Sequence, residues 1–268
     1  MTFPRLVATD LDGTLVHSDG SITVRTRSVL AELDSRGIPV VFVTARPLRW
    51  MDDLWGDVGR HGLAVVSNGA ILYDVAAREV REVTGIGATA GLVLCEAISA
   101  AVPGASFALE CLSGFRQEPT FAASHQAPED SLVGTLAELW TEPAVKLLVR
   151  SDEMGPDELR SAVIAVVGDA ATPTWSGDWF VEISAAGITK AATLAKVADE
   201  LGVVPEDVVV FGDMPNDLPM LAWAGTSYAV ANAHPSVLDA ADHRAPSNDD
   251  DGVAVVLGTI FGLPEPDA

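Results

Sequence analysis

Four groups of polar residues stand directly after short apolar segments that have the composition of β-strands. They are Asp10 with Asp12, Thr44 with Arg46, Asn68, and Asp213 with Asn216 and Asp217. In open parallel sheets, ligands bind beyond the carboxyl ends of the strands, where residues distant in sequence meet. Oxygen ligands with few nitrogens or sulfurs suit Mg²⁺, which binds one or two carboxylates together with substrate phosphate. The pattern therefore predicts a site for Mg²⁺ and a phosphorylated ligand.

The first third of the chain supplies the elements that would position these residues. Strand patterns cover residues 5–9, 39–43 and 63–66, and helix patterns cover 23–35 and 47–58. The strand patterns are β-branched with little alternation, as expected of strands buried on both faces. This β-α-β-α-β order predicts an α/β fold with a Rossmann-like parallel sheet and helices on both faces.

The middle of the chain departs from this pattern and then returns to it. Residues 84–184 combine helical stretches at 88–101 and 157–167 with scattered short strands, which predicts an inserted α+β domain. A helix at 190–201, a strand at 208–211 and segments at 227–230 and 253–261 resume the first pattern. We therefore expect a catalytic core from 1–83 and 185–268, with the insert between. The acidic run 248–251 and the Pro-rich C-terminus are predicted to be solvated loops.

Composition excludes some classes of partner. The 268 residues are 49% hydrophobic, and 38 acidic against 16 basic residues give a formal net charge of -22. Such a surface repels nucleic-acid phosphates and anionic lipids, so we expect neither nucleic-acid nor membrane binding. No signal peptide is visible, and the default expectation is a cytoplasmic protein. The five histidines lack metal-ligand spacing, which disfavours zinc.

The polar groups resemble, in order, the motifs of the haloacid dehalogenase superfamily. The matching segments are Asp10–Leu11–Asp12–Gly13–Thr14–Leu15, Val43–Thr44–Ala45–Arg46, Lys190 at a helix start, and Gly212–Asp213–Met214–Pro215–Asn216–Asp217. Ser67–Asn68–Gly69–Ala70 is also similar to a segment of the Cof-type sugar phosphatases. The residue after the motif lysine is often Gly in the family, whereas this chain has Ala191.

The resemblance implies a Mg²⁺-dependent phosphatase acting on small phosphate monoesters. Asp10 would be the nucleophile, forming an aspartyl-phosphate, and Asp12 the general acid and base. Thr44 and backbone amides near Leu11 and Ala45 would bind the phosphoryl group. Arg46 would face the substrate or its phosphate.

The remaining motif residues supply charge. Lys190 would give the local cation that an anionic substrate needs in so acidic a chain, at the positive end of a helix dipole. Asp213 would bind the metal with Asp10, while Asp12 coordinates through its backbone carbonyl. Asn216 would reach the phosphate, and Asp217 would orient Lys190 or a metal-bound water.

The insert resembles the larger α/β caps of the Cof-type subgroup, which select a small phosphorylated metabolite. Candidate substrate contacts in it are Glu110, Arg116, His125 and Lys146. Two other functions fit the same motifs: a phosphomutase of the superfamily, or a catalytically inactive phosphate-binding protein. The sequence indicates no particular oligomeric state.

Overall fold

Two β-sheets organise the chain. The computed structural model describes residues 3–52, 54–56, 62–122, 128–177 and 179–263. The strands are β1 (Leu6–Thr9), β2 (Val40–Val43), β3 (Leu63–Val66), β4 (Ile71–Asp74), β5 (Glu79–Val83), β6 (Ser106–Cys111), β7 (Gly114–Gln117), β8 (Leu132–Val133), β9 (Ala144–Arg150), β10 (Ala171–Thr174), β11 (Val181–Ala185), β12 (Val208–Gly212), β13 (Thr226–Val230) and β14 (His243–Ala245). The helices are α1 (Val24–Ser35), α2 (Ala88–Ala101), α3 (Pro119–Ala122), α4 (Leu136–Leu139), α5 (Pro156–Val167), α6 (Lys190–Glu200), α7 (Leu218–Trp223), α8 (Pro235–Ala240) and α9 (Gly252–Phe261).

The chain divides into two compact units. The first comprises the described residues of Met1–Arg46, Trp50–Glu82 and Lys190–Ala268, and the second comprises those of Pro47–Arg49 and Val83–Thr189. The functional division into a catalytic core and a cap stays a prediction at this point.

The first unit is built on an eight-stranded sheet with the order β14-β13-β12-β1-β2-β3-β4-β5. The strands from β14 to β3 pair in parallel, and β4 pairs antiparallel with β3. All residues of β1 and β12 are buried, as expected of strands whose residues are apolar apart from Thr9 and Gly212. Helix α1 packs on α9, and α6 packs on α7. The predicted Rossmann-like α/β class is confirmed.

Local signals fix the ends of helix α1. The side chain of Thr23 accepts a hydrogen bond from the Thr26 N–H at the first turn, at 3.1 Å. Gly37, with φ of 71°, follows the last turn in a left-handed conformation that glycine adopts without strain. The helix therefore matches the predicted range closely.

The helix expected over residues 47–58 is wrong. Leu48–Trp50 forms a single 3₁₀ turn, and Asp52 and residues 54–56 lie in turns. The residues at 53 and 57–58 lie outside the described part of the chain. Asp52 and Gly56 favour helix weakly, and one turn is a costly nucleus that such a segment does not extend.

The second unit has a six-stranded sheet with the order β10-β11-β9-β6-β7-β8. Its pairs are antiparallel except β7 with β8. Helices α2 and α5 pack on each other, and their apolar residues join Leu109, Leu147 and Ile183 of the sheet in one core. A Cβ at Gly91 would lie 1.9 Å from the Trp140 ring, so α2 needs glycine there. This architecture is the α+β module expected from the sequence.

Among the described residues, no helix has the length and apolar character needed to cross a membrane.

Candidate active site at the carboxyl end of the parallel sheet

The strand-end residues of the first unit converge because their strands are parallel neighbours. In the register of the sheet, Thr9 of β1 lies between Phe211 of β12 and Phe42 of β2. Asp10 therefore follows β1 at the same edge at which Asp213 follows β12 and Thr44 follows β2.

Three buried carboxylates form the centre of this edge. Oxygens of Asp10, Asp213 and Asp217 lie within 4.8 Å of one another. The Lys190 Nζ is 2.9 Å from Asp10 Oδ1 and 2.7 Å from Asp217 Oδ1, and the Lys190 side chain is wholly buried. Lys190 is the first residue of α6, where the helix dipole adds to its positive charge. One ammonium group therefore serves two carboxylates.

Burial shapes the acid–base behaviour of this cluster. It raises the pKa of Asp10 well above its usual value, although Lys190 counteracts the effect. Burial, with the nearby Asp217 carboxylate, raises the pKa of Asp213 to about 6. Burial also opposes the charge of Lys190, but Asp10 and Asp217 outweigh it and raise the pKa of the ammonium. The ionised cluster would hold more negative than positive charge, so its all-oxygen donor set fits a divalent cation such as Mg²⁺.

The loop after β1 packs directly on Asp213. Gly13 has φ of 75°, and a Cβ there would lie 2.5 Å from Asp213 Oδ2. The Thr14 hydroxyl donates a hydrogen bond to Asp213 Oδ1 at 2.7 Å. Thr14 is not among the site residues predicted from the sequence, although it lies in the first motif. Gly13 and Thr14 thus set the approach of the Asp10 loop to Asp213.

Asp12 and Arg46 form a bidentate ion pair. Arg46 Nε donates to Asp12 Oδ2 at 2.7 Å and Nη2 donates to Oδ1 at 2.5 Å. This hydrogen bonding raises the pKa of Arg46. The Asp12 side chain is 55% exposed, whereas Asp10, Asp213 and Asp217 are buried. Arg46, expected to face substrate, therefore has an acidic partner from the same site.

Thr44 is fully buried after β2. Its Oγ1 accepts a hydrogen bond from the Arg46 N–H at 3.0 Å, and its carbonyl accepts one from the Asn68 N–H at 3.1 Å. Leu11 is likewise buried in the loop after β1, where its carbonyl accepts three backbone N–H groups. Ala45 follows Thr44 in the corresponding loop of β2.

Asp217 and Asn216 have different surroundings in the turn after β12. Asp217 Oδ2 accepts the N–H groups of Asp213 and Met214, both at 3.0 Å, which fixes the carboxylate toward Lys190. Asn216 Nδ2 donates to Asn68 Oδ1 at 3.1 Å. The buried Asn216 Oδ1 has no hydrogen-bond partner among the described residues.

Asn68 lies in a strained turn. Ser67 and Asn68 have φ of 53° and 55°, and both are buried. Such left-handed backbone in non-glycine residues persists where the surrounding structure holds it, often at functional sites. The sequence predicts Asn68 at the edge of the site without a function, and the turn places it in hydrogen bonds with Thr44 and Asn216.

The candidate contacts of the second unit lie in ion pairs. Arg49 donates to both Glu110 oxygens, at 3.0 and 2.9 Å, and Lys146 pairs with Glu182 at 2.5 Å. Arg116 donates to Glu142, Ser113, Thr141 and the Leu139 carbonyl. His125 lies outside the described residues.

Comparison with known proteins identifies the family. The sequence model of the haloacid dehalogenase-like hydrolases matches residues 7–257. The chain belongs to this family. It is 28% identical to a 5-amino-6-(5-phospho-D-ribitylamino)uracil phosphatase of Bacillus subtilis, over 98% of this chain and 99% of the relative. It is also 28% identical to a phosphoglycolate phosphatase of Halorubrum lacusprofundi, over 95% and 96% of the two chains.

A solved structure agrees with this assignment. The crystal structure of a haloacid dehalogenase-like hydrolase from Bacteroides thetaiotaomicron superposes with a TM-score of 0.77 and 25% identity, covering 96% of this chain and 100% of that one. The family and the class of enzyme predicted from the sequence, a phosphatase of this hydrolase family, are confirmed. The roles of individual site residues stay predictions.

Proposed function

We propose that this family member is a Mg²⁺-dependent phosphatase that hydrolyses small phosphate monoesters, sugar phosphates among them, through an aspartyl-phosphate on Asp10. The observation that carries the proposal is the buried Lys190 ammonium between Asp10 and Asp217, with Asp213 beside them. A phosphoryl group is dianionic, and in a chain of charge -22 this ammonium and a bound cation are what allow it to approach.

The reaction runs in two steps. The Asp10 carboxylate attacks phosphorus, and the bond from phosphorus to the leaving oxygen breaks while Asp12 donates a proton to that oxygen. Asp12 then takes a proton from water, whose oxygen attacks phosphorus and breaks the bond to Asp10, releasing inorganic phosphate. Lys190 favours the ionised form of Asp10 that the first step needs, because its charge opposes the rise in the pKa of Asp10 that burial causes.

Binding groups surround Asp10. The Thr44 hydroxyl, the backbone amides near Leu11 and Ala45, and Asn216 are proposed to bind the phosphoryl oxygens. Asp10, Asp213 and the Asp12 carbonyl would hold Mg²⁺, which when bound offsets the charge of the phosphoryl oxygens. Asp217 orients Lys190 through its hydrogen bond at 2.7 Å.

Removal of divalent cations should abolish activity. We expect EDTA-treated protein to release no phosphate from p-nitrophenyl phosphate, and added Mg²⁺ to restore release. Asp213→Asn should require more Mg²⁺ for half-maximal activity, because it removes a charge from the cation site. Asp242→Asn, at an exposed aspartate remote from the cluster in sequence, is the matched control. Full activity of the chelated wild-type protein would contradict a metal requirement.

Arg46 should assist substrate binding. A phosphate dianion that enters the site competes with Asp12 for the guanidinium group of Arg46, which can form bidentate hydrogen bonds with either a phosphate or a carboxylate. We expect Arg46→Ala to raise KM for p-nitrophenyl phosphate by roughly tenfold, the effect of about 1.4 kcal/mol. The KM of Arg46→Lys should lie between those of wild type and Arg46→Ala, because lysine keeps the positive charge and lacks the paired N–H donors of the guanidinium group. An unchanged KM in steady-state kinetics would show that Arg46 pairs with Asp12 and does not assist substrate binding.

The substrate is proposed to be a small phosphorylated metabolite of the cytoplasm. Two relatives named for small phosphate monoesters support this class. The charge of -22 disfavours nucleic acid and membrane surfaces as partners. We propose that the core, 1–83 and 185–268, carries the chemistry and that the insert, 84–184, acts as a cap whose Glu110 and Lys146 help to select the leaving group.

A panel of phosphorylated metabolites tests the proposed function. Free phosphate released from the best substrates by folded, Mg²⁺-loaded protein is the expected result. No release above background across the panel would contradict the proposal. Isomerised sugar phosphate in place of free phosphate would favour the phosphomutase alternative.

A further inference from the structure

A turn near the C-terminus contacts the loop that carries Asp10 and Asp12. Asn248–Asp250 forms a 3₁₀ turn, and Ser247 caps it by accepting a hydrogen bond from the Asp249 N–H. The expectation that residues 248–251 form a solvated loop is wrong for Asn248, which is 3% exposed. A buried amide in an acidic surface turn must have hydrogen-bond partners, because burying it without them is costly.

Those partners are carbonyl groups of the Asp10 loop. Asn248 Nδ2 donates to the Val16 carbonyl at 2.9 Å, and Asn232 Nδ2 donates to the Gly13 carbonyl at 2.7 Å. The backbone N–H of Asn248 donates to Asn232 Oδ1 at 3.0 Å, which links the side chain of Asn232 to the backbone of Asn248. We call Asn232 and Asn248 the asparagine pair.

The loop is rigid enough for these contacts to set its position. The Leu11 carbonyl accepts the N–H groups of Thr14, Leu15 and Val16, at 2.8 to 3.2 Å, so residues 11–16 form one closed turn. Gly13 leaves no room for a Cβ against Asp213, so the turn is also closely packed on Asp213. A displacement at the Gly13 or Val16 carbonyl would therefore move Asp10 and Asp12 relative to Asp213.

The turn that holds Asn248 is itself fastened to the segment after the loop. Asp251 Oδ1 accepts hydrogen bonds from Thr23 Oγ1 at 2.6 Å and Thr26 Oγ1 at 3.0 Å, and lies 3.0 Å from His17 Nε2. Asp249 accepts two from Ser18, both at 2.8 Å. Asp251 has φ of 54°, a conformation that this network holds in place. The turn is thus a fixed support for the loop.

We propose that Asn232 and Asn248 are positioning residues for phosphoryl transfer at Asp10, an inference that rests on the proposed function. They hold two carbonyls of the nucleophile loop, so that the Asp10 carboxylate and Asp12 meet the phosphorus and the leaving oxygen in line. Misplacement of a reacting group by about 1 Å can cost ~10²-fold in rate. The asparagine pair therefore acts on kcat, while groups that bind the substrate govern KM.

Asn232 offers a clean test because its side chain is at the surface. We expect Asn232→Ala to lower kcat for p-nitrophenyl phosphate by roughly 10- to 100-fold at saturating Mg²⁺, with little change in KM. Asn232→Asp keeps the acceptor for the Asn248 N–H and lacks the donor to the Gly13 carbonyl, so it should be impaired as much as Asn232→Ala. Asn248→Ala should likewise lower kcat with little change in KM.

Asp242→Ala is the matched control. It also removes two hydrogen bonds of a side chain, from the Ser227 N–H at 2.9 Å and the Ser227 hydroxyl at 2.8 Å, at a site with no contact to the loop among the described residues. Its kcat should equal that of wild type, and its thermal midpoint should fall by as much as that of Asn232→Ala.

Two results would separate the hypotheses. Wild-type kcat in Asn232→Ala and Asn232→Asp, with active wild-type protein, would overturn the positioning role and leave the proposed function intact. A wild-type protein that releases no phosphate would overturn both. If Asn248→Ala fails to fold, the exposed Asn232 variants still decide the question.

Discussion

Replacing Asp10 with Asn should abolish phosphate release and leave the protein folded. The amide of the variant cannot attack phosphorus, so no aspartyl-phosphate forms. Removal of a nucleophile that acts as a unit with its acid–base partner costs on the order of 10⁵-fold in kcat. Steady-state phosphate release measures the loss. Mass spectrometry of acid-quenched protein should detect a phosphoryl adduct on the peptide that contains Asp10 in wild type, and none in the variant.

The stability of the Asp10→Asn variant should be equal to or greater than that of wild type. The substitution removes a buried charge whose pKa is raised by burial and by Asp217 and Asp213. Lys190 keeps a partner, because it also donates to Asp217 at 2.7 Å. Chemical denaturation without divalent cations measures the free energy of unfolding. Turnover retained by a folded Asp10→Asn variant would exclude Asp10 as the nucleophile.

Asp19→Asn serves as the control for this substitution. Asp19 lies in the same segment of the chain, is exposed, and accepts a hydrogen bond from the Ser21 N–H that an asparagine oxygen can also accept. We expect wild-type kcat and KM in this variant. Activity lost equally at both positions would indicate a general effect of charge in the segment.

The convergence of the site could be predicted because it depends on local patterns and one topological rule. The strands that precede Asp10, Thr44 and Asp213 are largely apolar, and parallel strands place their carboxyl ends together. The need for a local cation could be predicted from charge, since an acidic chain needs one where an anion binds, and the family resemblance pointed to Lys190 as that cation. Its burial between two carboxylates follows from the position of α6 against the sheet.

The contacts that the sequence did not reveal join residues far apart in the chain. The asparagine pair contacts Gly13 and Val16 across more than 200 residues, and the surrounding acidic run has the composition of a solvated loop. The ion pair between Arg46 and Asp12 depends on how the loops after β1 and β2 are oriented relative to each other, and no local sequence pattern predicts that orientation. The predicted helix over 47–58 is wrong because the weak helix formers after Leu48–Trp50 do not extend a single turn into a helix.

Replacing Lys190 with Met should cost both activity and stability. Methionine fills a similar volume without the ammonium, so Asp10 and Asp217 remain buried and unpaired in metal-free protein. Removing one partner of a buried pair typically destabilises a protein by about 3–5 kcal/mol. Loss of a cation that faces the phosphoryl group should lower kcat by roughly 10³-fold, in the range of a lost transition-state donor. Denaturation and steady-state kinetics measure the two effects.

Two further variants separate the causes. Lys196→Met changes the same helix at an exposed pair with Glu82, where side chains are 56% and 49% exposed, and should cost less than about 1 kcal/mol. Lys190→Met with Asp217→Asn removes one of the two unpaired charges and should recover much of the stability, because an asparagine oxygen can still accept the Asp213 and Met214 N–H groups. The double variant should keep the loss of activity, since no ammonium group then faces Asp10. Recovery of both stability and turnover would show that Lys190 serves only to neutralise Asp217, and that the phosphoryl charge is offset elsewhere in the site.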